Sequence, residues 1–207
     1  MTQLNLYSLS YPVTALGPGK RLVIWVSGCR KRCLGCISPE MQTEDSGRMI
    51  EIKKLLEHIN RIPQKLEGVT ISGGEPFDQT EALAELLAGL KKKFPLWNVI
   101  LYSGYTLPTL RKKGKAARQA LKFIDILIDG PYRQDIPPQD ALAGSGNQHL
   151  RYLTPVGLEM KLDIDKLPAN QVNLGMGPGK MKMIIGILEP KARKKINKGL
   201  GVKCEVG

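Results

Sequence analysis

No stretch of this 207-residue chain approaches the ~20 apolar residues that a membrane-spanning helix needs, so no membrane span is expected. The opening MTQLNLYSLSYPVTALGPGK lacks the basic start and apolar block of a secretion signal, and a cytoplasmic protein is expected. Histidine is scarce. His58 and His149 stand alone, and His58 falls among charged residues on an expected helix, where a solvated role suffices. GMGPGK (175–180) lacks both the glycine spacing of a phosphate loop and the Ser/Thr after Lys180, which rules out that reading. Acidic residues are few, 19 against 31 Lys+Arg, for a formal charge of +12. Two segments, RKKGKAARQALK (111–122) and KARKKINKGLGVK (191–203), hold twelve basic residues and no acidic ones. Such runs serve as solvated faces or meet an acidic protein or a nucleic acid, and composition alone does not choose.

What is present reads as one α/β unit, and the length is ample to bury a core. RLVIWVS (21–27) follows the turn GPGK (17–20) and reads as a buried strand. IEIKKLLEHINRI (50–62) spaces Ile52, Leu55, Leu56 and Ile59 for a helix that Pro63 ends. GVTISGG (68–74) is strand-like and breaks at paired glycines. DQTEALAELLAGLKKKF then opens with Asp78 three residues before Glu81, an expected capping pair, and lines Leu83, Leu86, Leu87 and Leu90 on one face. NVILYSG (98–104), the basic TLPTLRKKGKAARQAL (106–121) and FIDILIDG (123–130) continue as strand, helix and strand. Apolar strands without clean alternation predict a mainly parallel sheet covered by helices. Right-handed crossovers then bring the cysteine loop, SGGEP and YSGY to one sheet edge, where α/β proteins place their sites. PYRQDIPPQDALAGSGNQ (131–148) reads as an ordered loop or lid, and a second GPGK (177–180) precedes another apolar run, MKMIIGIL.

Cysteine is sparse too, four in all, yet three crowd into VSGCRKRCLGCISPE (26–40) as Cys29-x3-Cys33-x2-Cys36. A reducing compartment favours metal ligation over disulfides. Structural zinc needs four ligands, and no second Cys or His pair follows. A redox Cys-x2-Cys leaves Cys29 unexplained. An iron–sulfur cluster held by three thiolates accounts for all three and leaves one iron open. Cys204, lone near the end, is expected to be a free thiol.

The cysteine spacing together with SGGEPF at the end of the next strand resembles the radical S-adenosylmethionine superfamily. The resemblance implies a partial (β/α) barrel with a mainly parallel, curved open sheet. It also implies a 4Fe–4S cluster on Cys29, Cys33 and Cys36 whose fourth iron takes the amino and carboxylate groups of S-adenosyl-L-methionine. Over roughly residues 15–152, GPGKRLVIWVSGCRKRCLGCISPE, TISGGEPFDQ, VILYSGY, ILIDGPYRQD and GSGNQ resemble, in order, the activating proteins of anaerobic ribonucleotide reductase. That family implies reductive cleavage of S-adenosylmethionine and a glycyl radical on the partner enzyme, with the electron from a flavodoxin- or ferredoxin-like donor. Carried over by position, Gly35, Cys36 and Ile37 would pack against the adenosine, and Gly73, Gly74 and Glu75 would hold the methionyl end, with Pro76 fixing the turn. Glycine there lets backbone approach a ligand closely. Ser103 would reach the ribose or carboxylate, and Asp129 would orient the ligand or bind a cation.

The chain departs from the pattern in three places. Gly35 stands where many superfamily members carry an aromatic residue, Ile37 where an aromatic is common among the activators, and residues 155–207 extend beyond the expected end. The expected division is therefore a 1–154 cluster domain and a 155–207 basic extension. Two alternatives stand beside the activase: a radical enzyme of the same fold acting on another peptide, a nucleic acid or a small molecule, and a non-catalytic iron–sulfur protein.

Overall fold

The computed structural model describes residues 2–176 and 182–188, together with Lys195. The second GPGK, most of the basic run 191–203, and Cys204 lie outside the described residues. Among those described, seven strands join one sheet in the order β3-β1-β2-β4-β5-β6-β7. They are β1 (Gln3–Val13), β2 (Arg21–Val26), β3 (Arg48–Glu51), β4 (Gly68–Gly73), β5 (Asn98–Ser103), β6 (Ile126–Asp129) and β7 (His149–Tyr152). The helices are α1 (Ile52–Asn60), α2 (Thr80–Lys93), α3 (Leu107–Lys112), α4 (Lys115–Leu121), α5 (Pro155–Glu159) and α6 (Lys161–Asp165). A separate antiparallel pair, β8 (Asn173–Met176) and β9 (Lys182–Ile185), forms a ribbon.

The four expected strands form the centre, β2-β4-β5-β6, with every pairing parallel. Both flanks are antiparallel, β1 against β2 and β3 on one side and β7 against β6 on the other. The expected α/β class and mostly parallel central sheet hold, and these flanks add antiparallel strands at both edges. The signal for β1 was present in Leu4 and Leu6, two apart and both buried.

The basic helix expected over 106–121 is two helices, broken at Gly114, whose φ of 121° no helical turn accommodates. The expected Asp78–Glu81 capping pair does not form. Pro76 starts a 3-10 turn over Pro76–Gln79, Glu75 caps it by accepting from Phe77 N, and α2 begins only at Thr80. Asp78 is engaged elsewhere.

Side-chain alternation gives the sheet two different faces. On one, Leu22, Ile24, Val69, Ile71, Leu101 and Leu127 pack against Leu55 and Ile59 of α1 and Leu83, Leu86, Leu87 and Leu90 of α2 in a single core. Each fully buried aliphatic side chain there contributes about 1.5–3 kcal/mol. On the other face the apolar residues form two separate clusters. Val13, Leu16, Val23, Trp25 and Met41 gather with Ile185 of β9, while Ile100, Ile126 and Ile128 gather with Leu142, Met160 and Ile164.

Between these clusters runs β4, whose Val69 and Ile71 are spent on the helical core, so Thr70 and Ser72 fall to the other face. Below them the fully buried Arg21 donates to Thr70 Oγ1 (2.7 Å), Asn98 Oδ1 (2.6 Å), and the carbonyls of Pro18 and Val69. Burial lowers its pKa to about 10 against the opposing pull of Tyr102, Glu67 and Asp125, and its neutral acceptors satisfy the guanidinium at the lower end of the gap. The gap opens toward the edge where β2, β4, β5 and β6 end.

Candidate functional site

That opening is a cleft of about 420 Å³. Ser72, Trp25 and Tyr102 line it from the sheet, Cys29, Cys33, Cys36 and Ile37 from the loop after β2, and Gly73, Gly74 and Glu75 from the turn after β4. Ser103 at the end of β5, Gly104 just after it, and Tyr132, Gly144 and Gln148 from the loop before β7 also line it. The volume is that of a site for one small ligand. Of the residues expected there, Gly35, Pro76 and Asp129 do not line the cleft.

The cysteine loop is anchored at its root. Gly28 N and Cys29 N donate to Met41 O (2.9 Å) and Gln42 O (3.0 Å), and Ser27 Oγ donates to Thr43 O (2.8 Å). Farther on, Cys36 N donates to Cys33 O (3.3 Å), and Arg32 and Gly35 take φ of 48° and 68° to bend the chain there. All three thiols are free and partly exposed. Burial pushes the Cys29 thiol up, and backbone hydrogen bonds from Lys31 and Arg32 oppose that. Gly35 packs against Gln134, whose side chain would overlap any Cβ. It shapes the loop and does not line the cleft.

The turn after β4 clamps this loop. Gly74 N donates to Val26 O and Glu75 N to Gly28 O, both at 2.8 Å. A Cβ on Gly73 would overlap the Val26 backbone, and one on Gly74 would overlap Gly28 O. These glycines let two loops meet, in addition to lining the cleft.

Glu75 is 1% exposed. Its Oε1 accepts from Phe77 N (3.0 Å) and Ser103 Oγ (2.9 Å), and its Oε2 accepts from Gly104 N (2.7 Å). Burial pushes its pKa up to about 7 against those three donors. Its carboxyl ties the ends of β4 and β5 together, and Ser103 serves that tie while also accepting from Tyr105 N (3.1 Å).

Asp129 is wholly buried. Its Oδ2 accepts from Leu107 N (2.6 Å) at the start of α3, and its Oδ1 from Arg151 Nε (3.1 Å) of β7. Asp129 thus ties α3 to β7 and does not line the cleft. Among the described residues no group of three or more His, Cys, Asp and Glu is close enough to hold a metal ion directly.

Two features of the site had no signal that stood out in the sequence. Tyr105 donates to Asp78 Oδ1 (2.8 Å), and the ammonium groups of Lys31 (4.4 Å) and Lys113 (4.2 Å) both lie over its ring. Asp78 also accepts from Arg30 N (2.8 Å), so the cysteine loop is pinned to this basic rim. Tyr102 presents its ring to the cleft, and its buried hydroxyl has no hydrogen-bond partner among the described residues. Burial raises its pKa. Strand alternation in VILYSG could have assigned Tyr102 to this face once Leu101 was placed in the helical core.

Comparison with known proteins agrees with this geometry. Residues 15–151 match the family described as a 4Fe-4S single cluster domain. The anaerobic ribonucleoside-triphosphate reductase-activating protein of Enterobacteria phage T4 is 29% identical over 150 residues, 70% of this chain and 92% of that protein. Those of Vibrio cholerae (30% over 155 residues; 72% and 98%) and Pasteurella multocida (33% over 150 residues; 69% and 94%) are similar in extent. With three thiols on one cleft wall and a family match over most of its length, the chain belongs to the anaerobic ribonucleoside-triphosphate reductase-activating proteins, within the 4Fe-4S single cluster domain family.

Proposed function

We propose that this protein is a radical S-adenosylmethionine activase that generates a glycyl radical on a partner enzyme, anaerobic ribonucleotide reductase, in the cytoplasm. The observation that carries the reading is the set of three free thiols of one loop on the wall of a small-ligand cleft shared with the Gly-Gly-Glu turn. Three thiolates suit a 4Fe–4S cluster and leave one iron for another ligand. The Gly73 and Gly74 backbone lining the cleft and the unpartnered Tyr102 hydroxyl suit a polar ligand beside it.

Cys29, Cys33 and Cys36 would hold the cluster through Sγ. When bound, cluster and S-adenosylmethionine supply a one-electron reductive cleavage that ends in abstraction of a hydrogen atom from a glycine of the partner. The chain's own residues bind and shield. Gly73 and Gly74 hold the two loops in contact, Glu75 and Ser103 keep the ends of β4 and β5 in register, and Tyr102 offers its hydroxyl to the ligand. The loop 131–148 is tied down by Gln148, whose side chain accepts from Gly144 N (2.8 Å) and donates to Gly130 O (3.0 Å). It walls the cleft against water and, with the docked partner, closes it. Residues 1–154 form the cluster domain of a partial (β/α) barrel, and 155–207 are its extension. The electron comes from a low-potential flavodoxin- or ferredoxin-like donor.

The test is anaerobic reconstitution and reduction, addition of S-adenosylmethionine and the host's reductase, and an EPR spectrum beside a 5′-deoxyadenosine assay. A glycyl doublet with deoxyadenosine is expected. Deoxyadenosine without the doublet would move the substrate elsewhere, and neither product from a cluster-loaded sample would sink the enzyme reading.

A further inference from the structure

The related activating proteins are covered over 92–98% of their own length by about 70% of this chain, and the family match ends at residue 151. Described residues beyond that point, 171–176 and 182–188, pack back against the site. Asn173 Oδ1 accepts from Thr14 N (2.9 Å) and Ala15 N (2.8 Å), just after β1, and Gln171 Nε2 donates to Thr14 Oγ1 (3.2 Å). Gly186 lies so close to Gln171 O that a Cβ would overlap it. Ile185, 3% exposed, enters the cluster of Val23, Trp25 and Met41, and Ile187 packs beside it. Through this seat Ile184, Gly186, Ile187 and Leu188 become part of the cleft's lining.

We propose that the β8–β9 ribbon is a fixed wall of the cleft, added by this chain to the site its relatives share, and that Ile184, Ile187 and Leu188 are selectivity residues presenting an apolar surface to the bound ligand. The ligand part rests on the proposed function: an adenosyl sulfonium or thioether has the flat apolar surface that three aliphatic side chains cover. The seat is built like a core rather than a hinge. Two backbone amides are satisfied by one side chain, and an isoleucine is buried against a tryptophan. Removing aliphatic groups from such a wall weakens an apolar ligand in proportion to the area uncovered.

Trp25 reports the seat without any ligand, because it lies 8% exposed between the cleft and Ile185. Trp97, the other tryptophan, stacks on Phe94 and is removed by Trp97→Phe. In that background, full-length cluster-loaded protein is compared with Ile185→Asp and with Ile184→Ser/Ile187→Ser, after far-UV circular dichroism shows each folded. Acrylamide quenching of Trp25 is expected to be weak in the parent and several-fold stronger in Ile185→Asp. Unseating only half the ribbon's hold by Asn173→Ala gives an intermediate value if Ile185→Asp proves unfolded. S-adenosyl-L-homocysteine, which is not cleaved, is expected to bind the serine double variant about tenfold more weakly by calorimetry. Equal quenching in parent and both unseated variants would overturn the wall. Unchanged binding by the double variant would overturn the selectivity role. If the parent itself fails to bind S-adenosyl-L-homocysteine, the functional reading falls and the selectivity role with it, while quenching still decides the wall.

Discussion

The two faces of the central sheet are made by the same strands and do opposite things. Toward α1 and α2, large aliphatic residues from every central strand meet in one continuous core. Toward the other side the apolar residues divide into two clusters, and over β4 only Thr70 and Ser72 stand between them. The cleft lies along that line. A site here requires no special fold beyond a parallel sheet; it requires one strand to spend its bulk on the other face. Stability should therefore belong to the helical face and ligand binding to the gap.

The sharpest test of that division is Leu86→Ala on α2, at a fully buried position. It should cost about 2–5 kcal/mol in urea unfolding, with S-adenosyl-L-homocysteine affinity of the folded fraction unchanged. A loss of affinity comparable to that of a cleft variant would erase the distinction.

The seam between the faces should show both effects. Gly74→Ala drives a methyl group into Gly28 O, a backbone atom that cannot turn aside. The expected cost is about 1–3 kcal/mol, accompanied by lower iron content after reconstitution because the root of the cysteine loop shifts. Full iron loading at reduced stability would separate the clamp from the cluster site.

Glu75→Gln tests the same seam with little change of shape. The amide cannot accept on both sides, so it faces at least one of the donors on Phe77, Ser103 and Gly104, at about 1–3 kcal/mol. The carboxyl's folded pKa of about 7 lies above its ordinary 4.5. Its contribution is thus complete below about 4.5 and lost as pH rises through about 7, because the folded protein holds the proton longer. The stability advantage of the parent over Glu75→Gln should shrink across that window, and an advantage that grows with pH would show an ionised Glu75 held by its donors.

The smallest effect on stability and the clearest on binding is expected from Tyr102→Phe. Its hydroxyl is buried without a partner among the described residues, so removal should leave unfolding nearly unchanged or slightly raise it. Affinity for S-adenosyl-L-homocysteine should fall about fivefold if that hydroxyl donates to the ligand. No loss would leave Tyr102 as packing on this face.

Much of this arrangement was legible in the sequence because it is local. The order of the central strands and helices comes from their apolar periods, and right-handed crossovers bring the cysteine loop and SGGEP to one edge. Of the antiparallel flanks, β1 carried a signal in Leu4 and Leu6, but β3 and β7 were not legible. β3 and β7 are four residues each, and a short edge strand carries no pattern distinct from a loop. The polar residues at strand ends were harder still. Asp129 and Ser103 both end central strands, yet Asp129 is consumed by Leu107 and Arg151, whereas Ser103 reaches the cleft through its tie to Glu75. Nothing near Asp129 in the chain announces Arg151, 22 residues on.

By itself, then, the sequence determined the ligand chemistry on offer and the parallel centre, because thiol spacing, paired glycines and apolar period act over a few residues. The tertiary structure decided which side chains were free to use it. Burial and distant donors turned Glu75 and Asp129 into ties, left Tyr102 with an unspent hydroxyl, and folded an apolar run far along the chain from the cysteine loop onto the cleft as its wall. Those outcomes depend on which surfaces meet, and an apolar or polar residue does not carry its partner's address.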